Sequence, residues 1–221
     1  MKIMRGYSRI CTASGMRVDN RAFSENNGAE AHTLFEQGND PMSAANLLLK
    51  MFRYQTWANK ELLDSMQGLD AAHHAEERHI ALRLMNHCLV VEKIFAAHLA
   101  GDRHGFAADN TPDTPSLDAL RAELSAIDNW YLDYARTVTP DMLSQSIPFS
   151  FTDGDSGTMT REEMLTHVVI HGGYHRGEVG RVMKQVSASS PQSLQLPWDT
   201  YAVHLHRSEP SRRLHDVVAE K

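Results

Sequence analysis

His167-Val168-Val169-Ile170-His171-Gly172-Gly173-Tyr174-His175-Arg176-Gly177-Glu178 carries three histidines at intervals of four. Residues four apart on an α-helix stand one above the other on the same face. His171 and His175 can therefore aim their imidazoles at one point, the arrangement by which a helix offers two ligands to a metal ion. His167 repeats the interval, but three residues stacked over two turns extend about 12 Å along the axis. That is too far for all three to reach one ion comfortably, so His167 reads as a pocket neighbour rather than a fourth ligand. Glu178, three after His175, shares its face. It can orient a ligand imidazole, act as a base, or stand as a solvated charge at the rim. Arg176 points about 100° away from His175 and reads as half of a surface salt bridge or, less simply, as a hold on an anionic substrate group.

The same stretch is poor in helix propensity. Gly172, Gly173, Gly177 and Gly180 each cost a helix about 1 kcal/mol relative to alanine. Either a neighbouring backbone packs close to them or space is reserved beside the histidines. A metal that binds only the folded state would offset part of that cost.

Working outward, Thr160 and Glu163 form a capping box at the start of this helix, whose apolar stripe runs through Met164, Val168, Val179 and Met183 and fades over residues 187–191. A first helix is expected from Ser43 to Met66, with Leu47, Met51, Tyr54, Ala58, Leu62 and Met66 inward, Ser43 as N-cap and Gly68 as C-cap. A second runs from about Arg78 to Ala100 and stops at Gly101-Asp102. His87 lies inside its apolar stripe, three after Leu84 and four before Val91. On pattern alone it is either a hydrogen-bonded core histidine or a ligand delivered from a facing helix. A third helix starts after Ser116 and ends at Thr139-Pro140. Ile147, Phe149 and Phe151 then alternate before the turn residues 153–157, which predicts a short β-hairpin or an ordered loop. Residues 197–205 have enough apolar character for a short packing helix.

The fold class that follows is all-α: a four-helix bundle with a hairpin or long loop before the fourth helix and a short C-terminal helix. The connections after the second and third helices are long enough for a crossover, so an up-down-up-down order is not forced. Residues 42–209 would form the bundle. Residues 1–41, with Arg5, Arg9, Arg17 and Arg21 and no sustained apolar period, read as a disordered extension, and residues 210–221 as a polar tail.

Composition narrows the function. A net charge of −6 over 221 residues gives no general attraction for nucleic acid. No apolar run has membrane-spanning length. The two cysteines, Cys11 and Cys88, form neither a disulfide framework nor a zinc spacing, and a reducing cytoplasm is the simplest compartment. A di-iron carboxylate site needs Glu-x-x-His on two helices, and only Glu76-Glu77-Arg78-His79 fits. No Gly-x-Ser-x-Gly elbow and no phosphate-binding glycine loop occurs. What is left is a three-histidine site in the bundle core, set against histidines that merely hydrogen-bond in a polar core layer.

Three motifs taken in order carry a resemblance. His171-Gly-Gly-Tyr-His175-Arg176-Gly177-Glu178 resembles the fourth-helix signature of the DinB/YfiT-like family. Arg53-Tyr54-x-x-Trp57-Ala58-Asn59 resembles its first helix, and Asn86-His87 followed by Val90-Val91-Glu92-Lys93-Ile94-Phe95 its second. The resemblance spans about residues 43–209. It implies a four-helix bundle that holds a divalent metal on three histidines, here His87, His171 and His175. It also implies thiol-dependent transferase or isomerase chemistry, with the metal activating a low-molecular-weight thiol, and a homodimer. Imidazole ligation suits Zn²⁺, Ni²⁺, Fe²⁺ and Cu²⁺ alike. Glu178 stands where the family more often has Gln, which adds negative charge beside the metal. The expected function is a metal-dependent enzyme that activates water or a thiol against a small-molecule substrate, with His167 and Glu178 as candidates to move protons. The alternative is a non-catalytic metal- or ligand-binding stress protein.

Overall fold

The computed structural model describes residues 43–189, 194 and 196–212. The expected extension over residues 1–41 and the end of the polar tail, residues 213–221, lie outside the described residues.

Helix α1 spans Ala44–Met66 and opens as expected, with the Ser43 hydroxyl accepting from the Asn46 N–H at 3.2 Å. Its inward face is the expected one over the second half, where Ala58, Leu62 and Met66 are buried, but not over the first. Leu47 is 45% exposed, whereas Leu48, Phe52, Gln55 and Asn59 are buried. A search for apolar periodicity misses this frame because two of its inward positions are amides. The end of α1 also differs from expectation. Gly68 does not take a positive φ, so it is not a left-handed cap. A Cβ at Gly68 would lie 2.8 Å from a Leu194 methyl, and the bare Cα leaves that methyl its place.

Helix α2 spans Ala75–Ala100, three residues longer at its start than the sequence suggests. Glu76 and Glu77 sit in its first turn, where carboxylates favour the exposed N–H groups. It closes on Gly101 at φ 83°, a conformation that costs a side chain but not glycine. Helix α3, Leu117–Thr137, is capped by Ser116, whose hydroxyl accepts from the Ala119 N–H. Pro140 does end it, and also begins the one-turn helix α4, Pro140–Leu143, with Thr139 as N-cap.

The alternating segment is a hairpin. Strands β1, Ser146–Ser150, and β2, Ser156–Thr160, pair antiparallel with Phe149 opposite Gly157. A Cβ at Gly157 would meet the Phe149 ring at 2.9 Å, so the glycine is what lets Phe149 fold back into the core. Helix α5, Arg161–Ser189, follows at once. Its capping box forms as expected: Thr160 N–H donates to Glu163 at 2.7 Å, and Glu163 N–H donates to the Thr160 hydroxyl at 3.1 Å. Helix α6, Tyr201–Ser208, is the expected short C-terminal helix.

The four long helices form the bundle, with α1 and α2 each packing against both α3 and α5. Helices α1 and α2, consecutive in sequence, therefore stand on a diagonal rather than side by side. That places the inward face of α5 between α2, which brings His87, and α1, which brings Gln55 and Asn59. Phe52 of α1 and Tyr131 of α3 stack at the centre with ring centroids 4.9 Å apart and planes 8° apart. Truncating Phe52 to alanine would cost about 3–5 kcal/mol. Among the described residues no helix is long and apolar enough to cross a membrane.

Candidate metal centre

His87 on α2 and His171 and His175 on α5 meet where those helices face each other. Each offers one ring nitrogen, and the three nitrogens lie within 4.8 Å of one another. Nε2 of His171 is 3.1 Å from Nε2 of His87 and 3.1 Å from Nε2 of His175. The other nitrogens of the outer pair are already engaged. His87 Nδ1 lies 2.7 Å from the carbonyl oxygen of Asp109, and His175 Nδ1 lies 2.6 Å from a carboxylate oxygen of Glu178. Both partners only accept, so Nδ1 carries the proton and donates in each ring, and each Nε2 presents a lone pair toward His171.

Burial, followed by the closeness of His175, His87 and His167, holds His171 down to about 3. Burial also lowers His175, although the Glu178 hydrogen bond opposes it. The neutral His171 ring has at most one Nε2 proton to give to two lone pairs. At least one of these close contacts is therefore lone pair against lone pair, an arrangement a cation resolves and a hydrogen bond cannot. Nitrogens about 2.0–2.1 Å from a tetrahedral ion stand about 3.3–3.4 Å apart, close to the spacing here. The donor set fits a divalent metal.

The Asp109 contact has no signal in the sequence, because a backbone carbonyl in a loop has no side-chain signature. Its support is legible in retrospect. Asn86, beside His87, donates to Asn110 and, at 2.6 Å, to the Thr111 hydroxyl, while Arg83 donates to the Thr111 carbonyl at 2.6 Å. These ties hold the loop after α2 over the His87 ring.

His167 stays outside the triad, as the axial distance requires. Its ring stacks between Phe95 at 4.7 Å and His171 at 5.3 Å, and burial lowers its pKa. Glu178 lies 2.6 Å from His175 Nδ1, on the face the spacing of three predicts.

Arg176 is not at the surface. It is 2% exposed and points toward α1, where its Nε donates to Asp199 at 2.8 Å and its Nη1 to the Asn59 amide oxygen at 3.2 Å. Tyr54 also donates to Asp199, and burial together with that carboxylate raises the phenol to about 12. Asn59 in turn donates to both oxygens of Asp128 at 3.1 Å, and Gln55 donates to Glu92 at 3.0 Å. Burial raises Asp128 to about 7 and Glu92 well above the usual carboxylate range. This polar layer, built from α1, α2, α3 and the segment before α6, fixes the turn of α5 that carries His175. Gly172 belongs to it: a Cβ there would lie 3.1 Å from Arg176 Nη1 and 3.3 Å from Gln55 Oε1.

Fold and site together define a helical-bundle protein with a partly buried three-histidine centre able to hold a metal ion. Over residues 42–203 the chain matches the model of the DinB family, and it belongs to that family. No curated protein and no solved structure matched it.

Proposed function

We propose that this protein is a metal-dependent enzyme that activates a water molecule or a low-molecular-weight thiol for attack on a small electrophilic substrate. The observation that carries the reading is the convergence of three imidazole nitrogens, two of them tautomerically fixed, with no fourth protein ligand in the group among the described residues. Three protein ligands leave a coordination position for water or substrate, as catalytic sites do and closed structural sites do not. The imidazoles are also within reach of solvent, since the side chains of His87 and His175 are 19% and 15% exposed. A fully enclosed storage site would not need that opening.

A divalent metal on His87, His171 and His175 supplies Lewis acidity that lowers the pKa of a nucleophile bound beside it. The residues around it supply the rest. Asp109 and Glu178 hold the Nδ1 protons of His87 and His175 and so keep both Nε2 lone pairs directed at the centre. Phe95 fixes the His167 ring against His171, where a neutral imidazole can accept the proton that the nucleophile gives up. Phe95 and the buried faces of α2 and α5 keep water from that side.

The test is metal analysis of tag-free protein, followed by a screen of thiols against electrophiles with wild type and His171→Ala. The expected outcome is about one divalent ion per chain and turnover in wild type, with both lost in the variant. Full turnover by His171→Ala without metal would overturn the reading.

A further inference from the structure

Asp109 meets the metal centre twice. Its backbone carbonyl holds the His87 Nδ1 proton, and its carboxylate stands 3.8 Å from the same nitrogen. Orienting the ring needs only the carbonyl, so the carboxylate is free for another task. Its side chain is 70% exposed, and that of Glu178, against His175, is 42% exposed. A small ion arriving from solvent can reach both. Burial lowers His175, and the hydrogen bond of Glu178 together with the charges of Glu178 and Asp109 opposes it, so both carboxylates act on the centre itself.

The neighbouring cations are engaged elsewhere. Among the described residues neither carboxylate pairs with a lysine or arginine. Arg176, next to His175 in the chain, gives its Nε and Nη1 to Asp199 and Asn59. Arg83, which ties down the loop carrying Asp109, gives its Nη1 to the carbonyls of Thr111 and Asp113. A cavity of about 370 Å³ borders the histidine column at His167, and the charged residues in its lining are Glu162 and Glu163.

A divalent ion balances Asp109 and Glu178, and a thiolate bound beside it then leaves one negative charge in excess. A thiol that brings an ammonium group restores neutrality. One that brings a carboxylate doubles the excess and sets like charges together.

We propose that the small thiol taken by this centre carries a protonated amine, and that the Asp109 carboxylate is the specificity-determining group that receives it. The inference rests on the metal-dependent reading above and adds to it the charge of the thiol.

Cobalt(II), which accepts the same imidazole ligands, reports thiolate binding by its absorption. Cysteamine and 3-mercaptopropionate, alike in size and opposite in charge, are titrated at one pH into the cobalt-loaded full-length protein, as wild type and as Asp109→Asn. The two thiols differ in acidity, but equally for both proteins, so the change in their affinity ratio reads the carboxylate. The variant should narrow the preference for cysteamine about three- to ten-fold, the scale of one exposed charge acting on ligands of opposite sign. Raising the ionic strength should narrow it in wild type as well, which tests the proposal even if the variant fails to fold or to load cobalt. An unchanged ratio in cobalt-loaded Asp109→Asn overturns the assignment, as does a wild-type preference for cysteamine that does not weaken with salt; thiol binding, and with it the proposed function, survives either result. Absence of a thiolate signal with both thiols overturns the thiol-activating reading itself, and this inference with it.

Discussion

Glu178 holds the Nδ1 proton of His175 at 2.6 Å, one turn beyond the face that His171 presents to the same centre. The carboxylate thereby decides which nitrogen of His175 is free, and it adds negative charge next to the positions a cation would neutralise. Removing such an orienting partner typically costs metal affinity about 10- to 100-fold. Glu178→Ala should show that loss in competition against a chromophoric chelator. Glu178→Gln should lose much less, because its amide oxygen still accepts from Nδ1. Equal affinities for wild type and the alanine variant would reduce Glu178 to a rim charge.

His171 is the middle member of the triad, in contact with both other nitrogens. A ligand that binds only the folded state adds about 2.7 kcal/mol of stability at a concentration of 100 Kd. Adding a divalent metal to wild type should therefore raise the urea midpoint and Tm, and chelator should reverse the change. His171→Ala should leave two imidazoles that cannot hold the ion, and its unfolding curve should not move with metal. A metal-dependent shift of wild-type size in the variant would place the ion elsewhere.

The histidine column and the capping box of α5 are legible in the sequence because helical geometry maps intervals of four onto one face. The hairpin is legible from alternation. His87 is not, because a histidine in an apolar stripe has the same local pattern whether it ligates or merely packs, and the motif resemblance is what singles it out. Arg176 shows the converse failure. Its position beside a ligand suggests a surface charge, yet α5 is covered on that side by α1 and by Asp199, 23 residues on. The polar positions on the inward face of α1 are hidden for the same reason. Gln55 and Asn59 enter the core only because Glu92, Asp128 and Arg176 are there to meet them, and those partners come from three other helices.

Asp128 makes the polar layer sensitive to pH. Its carboxyl moves from 3.8 to about 7 on folding, chiefly because burial disfavours the charge. Between those values the folded chain keeps a proton that the unfolded chain has released, so this group's contribution to stability falls as pH rises from about 4 to about 7. Glu92, also raised by burial, acts in the same direction. Asp128→Asn removes the ionisation and can still accept from Asn59. Its stability relative to wild type should therefore improve progressively across that window, measured as the difference in urea unfolding free energy of metal-free protein at successive pH values. A difference independent of pH would mean that Asp128 is ionised in the fold throughout.

The glycines of α5 separate into two kinds, and stability measurements can tell them apart. Alanine in a helix interior is favoured over glycine by about 1 kcal/mol. Gly177→Ala and Gly180→Ala place a methyl where nothing lies within 4 Å, so each should stabilise the metal-free protein by about that amount. Gly172→Ala drives its methyl to 3.1 Å from Arg176 Nη1 and 3.3 Å from Gln55 Oε1. Those atoms sit in a buried network with little freedom to withdraw, so the propensity gain should be cancelled or reversed. Urea denaturation of the three single variants checks the order. A destabilised Gly177→Ala would mean that the space beside α5 closes in solution, and a stabilised Gly172→Ala would mean that Arg176 yields more readily than its bonds to Asp199 and Asn59 suggest.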